Sequence, residues 1–153
     1  MPANDLTGVD DLHVMIRCQE DLGVSVRLHS RFFPDECGIG FAVEARAEGL
    51  HADLLGAEVW VWDEAWLPDF ISQLAADYRG WTGERTWQTN HLAVRATFHS
   101  RGHVALTWDL QPWVSRSDAW RASITTWLEA GEQMSHLASD LRAFLPLPRP
   151  PAK

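Results

Sequence analysis

Nine tryptophans stand against a single tyrosine, and twelve of the thirteen basic side chains are arginine. Both types do recognition chemistry: a guanidinium fork grips carboxylate or phosphate at two points, and an indole brings a broad apolar face with one N–H donor. Alternation along the chain puts Arg17, Arg27, Arg31, Arg46, Arg95 and Arg121 on the polar side of successive strands. Trp60, Trp62 and Trp127 share that side, with His13 and His29. The acids there are Glu44, Glu48, Glu58 and Asp109, so six cations meet four anions on a chain whose net charge is -8. Two readings stay open. In one, cross-strand Arg–Glu pairs and Arg–Trp stacking coat a solvated sheet. In the other, a flat Arg/Trp surface recognises an acidic or planar partner, the composition enriched at interface hot spots. The candidate binding set is Trp60, Trp62, Trp127, Arg27, Arg46, Arg95 and Arg121.

Other constellations carry less. His99 and His103 flank a short loop and face one another, but zinc needs three or four ligands, and neither an HExxH string nor a Cys/His cluster supplies the rest. No metal and no cofactor is expected. Cys37 lies beside Gly38 with no helix N-terminus or neighbouring histidine to activate a thiolate, and Cys18 falls on an apolar stripe. Asp35-Glu36 and Asp63-Glu64 occupy a turn and a helix start, ordinary places for acids. Gly38-Ile39-Gly40 lacks the third glycine of a phosphate loop and leads into a strand. No catalytic residue is assigned, and the reading leans away from an enzyme.

These side chains need strands to position them. Period-two alternation runs through Leu12, Val14, Ile16 and Cys18, then Val24, Val26, Leu28 and Phe32, then Ile39, Phe41, Val43 and Ala45, then Leu55, Ala57, Val59 and Val61. The period changes at Leu67, Phe70, Ile71, Leu74 and Tyr78, predicting a helix over about 64–79 with Pro68 in its first turn. Alternation returns in 92–98, 104–110 and 120–128, with Ser100-Arg101-Gly102 as a hairpin loop. Trp108 and Trp120 fall in phase with the core. A second helix is expected over about 131–145. Strands, helix, strands, helix gives an α+β fold: a mainly antiparallel sheet of about seven to eight strands with two amphipathic helices. Residues 1–11 read as a flexible leader, 12–145 as one domain and 146–153 as a proline-rich tail.

One stretch is more specific. Arg79-Gly80-Trp81-Thr82-Gly83-Glu84-Arg85-Thr86-Trp87 closes the first helix, followed by Leu92–Phe98, Arg101-Gly102-His103-Val104 and Ala130-Gly131-Glu132-Gln133. Physically, Gly80 caps the helix, Gly83 permits a sharp turn, and the two indoles pin that corner to the core while Arg79 and Arg85 brace it. The string resembles an uncharacterised family of small α+β proteins from high-GC bacteria, a domain of unknown function. The likeness spans about 67–145 and implies no reaction and no catalytic residue. Size, acidity and the lack of a catalytic signature are also similar in type to bacterial toxin-immunity proteins.

The acidic balance argues against a general nucleic-acid binder, and no run approaches the ~20 apolar residues of a membrane span. The opening residues are too acidic and polar for a signal peptide, and two cysteines make no disulfide framework, so a cytoplasmic protein is expected. The functional expectation is a non-catalytic binding protein with a protein partner, of immunity type. The alternative is a small-molecule-binding domain or enzyme with a tryptophan-lined pocket between sheet and helix.

Overall fold

The computed structural model describes residues 12–60, 66–112 and 119–146. The leader and the tail, Trp62 and Trp113 therefore lie outside the described residues. The alternating segments form β1 (Val14–Arg17), β2 (Ser25–Asp35), β3 (Gly38–Ala47) and β4 (Leu50–Trp60). After α1 (Leu67–Ala76) come β5 (Glu84–Gln88), β6 (Leu92–His99), β7 (His103–Leu110), β8 (Ala122–Glu129) and α2 (Glu132–Phe144). The fold is α+β, with eight antiparallel strands and two helices among the described residues, and the strands divide into two four-stranded meanders, β1-β2-β3-β4 and β5-β6-β7-β8.

The meanders meet edge to edge where β1 approaches β8: the Gln19 amide donates to the Trp127 carbonyl at 2.8 Å, and the Trp127 amide reaches Cys18 Sγ at 3.4 Å. Their aliphatic faces bury a single core with one side of each helix. Val14, Ile16, Val26, Leu28, Ile39, Phe41 and Val43 come from the first sheet and Val94, Leu106 and Trp108 from the second, with Leu74, Met134 and Leu141 above them. Trp108 is fully buried, and its indole N–H donates to the Thr126 hydroxyl at 3.0 Å, so the largest core side chain leaves no polar atom unpaired.

Two bulges move residues off their expected faces. In β2, Ser30 takes a positive φ of 55° and the pairing with β3 slips between His29 and Phe32. The slip exchanges sides: Phe32 pairs with Gly40 on the outer face, and Arg31 turns to the helix layer. There the Arg31 Nη1 donates to the carbonyls of Ala143 and Phe144 at 3.1 and 2.8 Å. Those are last-turn carbonyls of α2, which lack helical partners and carry the negative end of its dipole. Trp66 Nε1, at the start of α1, donates to Leu145 O at 2.8 Å just beyond them. In β4 the register slips opposite Ala42, so Ala52 and Leu54 fill the core and Leu55, expected inside, is 75% exposed. Trp120 precedes β8, escapes its alternation and is exposed rather than buried.

Candidate functional site

The outer face of the second sheet is closed on itself. Arg95 holds Asp109 with both prongs of its fork, Nε to Oδ2 at 2.8 Å and Nη2 to Oδ1 at 3.1 Å, and its Nη1 lies 3.7 Å from Glu84. Ser123 also donates to Asp109. Burial alone raises the carboxyl's proton affinity; the hydrogen bonds from Arg95 and Ser123 and the charges of Arg95 and Arg121 overcome it, and its pKa ends below the ordinary value. Thr107 and Thr125 share a hydroxyl bond at 2.8 Å in the next row. Trp127 sits opposite Ala105, and its ring meets the edge of His99 with centroids 4.7 Å apart. His99 and His103 are directly paired across the hairpin, and His99 Nε2 is spent on the Thr97 hydroxyl at 2.8 Å. Among the described residues, no third ligand forms a metal-capable group with these histidines.

The outer face of the first sheet is open. Registry lines up Arg17, Ser25, Arg46 and His51 in one row, and Met15, Arg27, Glu44 and Asp53 in the next. Ser25 is thus a small floor with Arg17 and Arg46 on either side and Arg27 diagonal to both, three guanidiniums from three strands. With Met15, Leu22, Gly23 and Glu44 they line a concavity of about 450 Å³. Leu22 is 70% exposed at its rim. Glu44 is the one carboxylate among the described residues of the lining; it accepts from Arg46 at 3.0 Å and His51 at 3.0 Å and lies 3.9 Å from Arg27. Its burial favours the protonated form, but the Arg46 and His51 bonds outweigh that and hold the carboxyl below its usual range. His29, one step along the same face, has its pKa lowered by burial and then by the Arg27 charge, so its imidazole is neutral at pH 7. Arg17 makes no ion pair among the described residues.

The structure therefore splits the expected binding set. Arg27 and Arg46 come together, joined by Arg17. Arg95 is committed to Asp109, Arg121 flanks that same carboxylate, and Trp127 belongs to the second sheet. Trp60 lies three strands away from β1, with its ring over Gly38, and Trp62 lies outside the described residues. Met15, apolar on the polar side of β1, joins the site through its registry with Arg27, and Leu22 joins it from the turn between β1 and β2, where alternation carries no information. Glu44, His51 and Asp53 also cluster, their ligating atoms within 4.8 Å of one another, through the β3–β4 pairing. Arg46 already occupies the Glu44 oxygen that bonds His51.

The glycine-tryptophan corner is a brace. The Gly80 amide donates to Asp77 O at 2.8 Å at a φ of 118°, and Phe98 packs where a side chain on Gly80 would stand. Trp81 meets Phe98 edge to face at 5.4 Å, and Arg85 stacks over Trp81 at 4.8 Å while bonding Asp77 at 2.6 Å. Arg79 lies over Tyr78, Gly83 turns the chain into β5 at a φ of 80°, and Trp87 is buried in the core. Trp66 and Trp108 are also core.

A family model of unknown function, DUF6228, matches residues 17–148, which runs from the last residue of β1 through both helices and includes the three arginines of the concavity. The chain belongs to the DUF6228 family. No curated protein and no solved structure matches it. Membership brings no assigned reaction, so the chemistry of this DUF6228 protein rests on its own side chains. No helix among the described residues is long and apolar enough to cross a membrane.

Proposed function

We propose that this DUF6228 protein is a binding protein that docks an acidic protein partner on the outer face of its first sheet. The observation that carries the reading is the convergence of Arg17, Arg27 and Arg46 around Ser25, in a concavity lined, among the described residues, by a single carboxylate. Arginine forks suit carboxylate side chains, and the exposed Met15 and Leu22 add apolar contact beside them, the mixture that anchors interfaces. An immunity-type inhibitor, which neutralises a target by covering it, is the specific form proposed. The net charge of -8 by itself favours a basic partner, so the local patch and the whole-molecule charge make opposite demands. Two free cysteines, Cys18 and Cys37, are in keeping with a reducing, cytoplasmic setting.

Calorimetric titration with hexaglutamate and hexalysine peptides separates these demands. Saturable binding of the glutamate peptide at low salt, weakened by salt and abolished in the Arg17→Gln, Arg46→Gln double variant, supports the arginine patch. Binding of the lysine peptide instead, or equal binding by the double variant, refutes it.

A further inference from the structure

The strand that brings Arg17 to the concavity also brings the chain into the fold. β1 starts at Val14, and the segment ahead of it, residues 5–11, lies outside the described residues. That segment reads Asp5-Leu6-Thr7-Gly8-Val9-Asp10-Asp11: three carboxylates, no basic side chain, and two aliphatic residues between the acids. The concavity is its complement. Among the described residues of the lining, three guanidiniums meet one carboxylate, with Met15 and Leu22 beside them. Glu44 answers Arg27 and Arg46, while Arg17 makes no ion pair among the described residues.

Registry sets how far the segment has to travel. Met15 is paired with Arg27, and Arg17 with Ser25, which is paired in turn with Arg46. At about 3.3 Å per residue, the Arg17 row lies about 17 Å along the strand from Leu12, and Arg46 is two strand spacings, or about 10 Å, across. The seven residues from Leu12 back to Asp5 reach up to about 23 Å, enough for either arginine. Asp10 and Asp11, residues that favour turns, stand where the chain must double back over the outer face. A reversal there brings Asp5 level with Arg17 and passes Leu6 and Val9 along the side that carries Met15. A tether this short holds the segment at an effective concentration near millimolar, so individually weak ion pairs are enough to compete.

We propose that residues 5–11 occupy the arginine concavity of the free protein, as a tethered acidic competitor that a partner must displace. The inference rests on the arginine face being the face that docks acidic partners. The test compares the full chain with its full-length Asp5→Asn, Asp10→Asn, Asp11→Asn variant. The variant should bind hexaglutamate at low salt about three- to tenfold more tightly, because the open fraction of the site rises. Before any peptide is added, the Nε–H signals of Arg17, Arg27 and Arg46 should differ between the two proteins, while those of Arg95 and Arg101 coincide. An acetylated peptide of residues 1–11 should then bind the variant and move the three signals toward their wild-type positions. Equal hexaglutamate affinities, or coincident signals at all five arginines, overturn the inference. So do equal shifts at all five, the result of removing three charges without a local contact. Those outcomes leave the acidic-partner reading standing; absence of hexaglutamate binding to both proteins overturns that reading and this inference with it.

Discussion

The two sheets share a core and differ on their outer faces. The second sheet pairs in an unbroken register from β5 to β8 and answers its outer polar groups internally, the Arg95 charge with Asp109 and the Thr107 hydroxyl with Thr125. The first sheet slips register three times and sets Arg17, Arg27 and Arg46 around one serine, with Glu44 shared by Arg27 and Arg46 alone. A face whose charges are mutually satisfied gains little from a partner, since docking would strip water from pairs already made. A face with surplus like charge is relieved by an anion from outside. The polar composition of the two faces is similar; the register decides which one is left wanting.

If the sheets are one cooperative unit, damage to the shared core should not respect the boundary between them. Trp108→Ala removes the largest buried side chain, which sits in the second sheet, and should cost about 3–5 kcal/mol in urea unfolding. Amide exchange should rise in β2 and β3 as much as in β6 and β7. Protection retained in the first sheet would mean two separately stable halves.

A smaller effect sharpens the difference in outer packing. Trp127 faces Ala105 on the second sheet, but Trp60 faces Gly38 on the first, with no room for a methyl group. Gly38→Ala should therefore destabilise by about 1–3 kcal/mol as the indole is pushed off the strand. Its thermal midpoint is the measurement, and an unchanged value would show that the ring moves freely.

The closed face should also reveal itself through pH. Asp109 has a folded pKa below its ordinary 3.8, so its contribution to stability is complete above that value and is lost as pH falls through the lower folded one. Asp109→Asn should cost no more than about 1 kcal/mol at pH 7, because the pair is partly exposed, and should flatten the fall in stability below about pH 4. An unaltered acid slope would remove Asp109 from the account.

Much of this was legible in the residue pattern. The runs Val14–Ile16, Ile39–Ala45 and Val104–Leu110 alternate cleanly and lie where alternation puts them, and the change of period at Leu67 marks the first helix. The helix is shorter than its apolar spacing predicts: it stops at Ala76 and the chain continues as a turn to Arg79 before the glycine. The bulges were invisible, because one extra residue at Ser30–Arg31 or near Leu55 leaves composition unchanged while inverting every side chain beyond it. Arg31 was thereby misplaced on the recognition face when it caps α2. β5 was hidden inside the glycine-tryptophan corner. Long-range pairing decided the rest: local sequence does not say that Arg95 finds Asp109, nor that Arg17 lies beside Arg27.

The central claim, that the first sheet and not the second presents the recognition face, is tested most directly by side-chain arginine spectra. Hexaglutamate titrated at low salt into the wild-type protein should shift the Nε–H signals of Arg17, Arg27 and Arg46 first, leaving Arg95 in place. The Arg17→Gln, Arg46→Gln variant should lose the response with stability altered by less than about 0.5 kcal/mol. Equal shifts at Arg95 and at the exposed Arg101, or shifts at Arg95 alone, would contradict it.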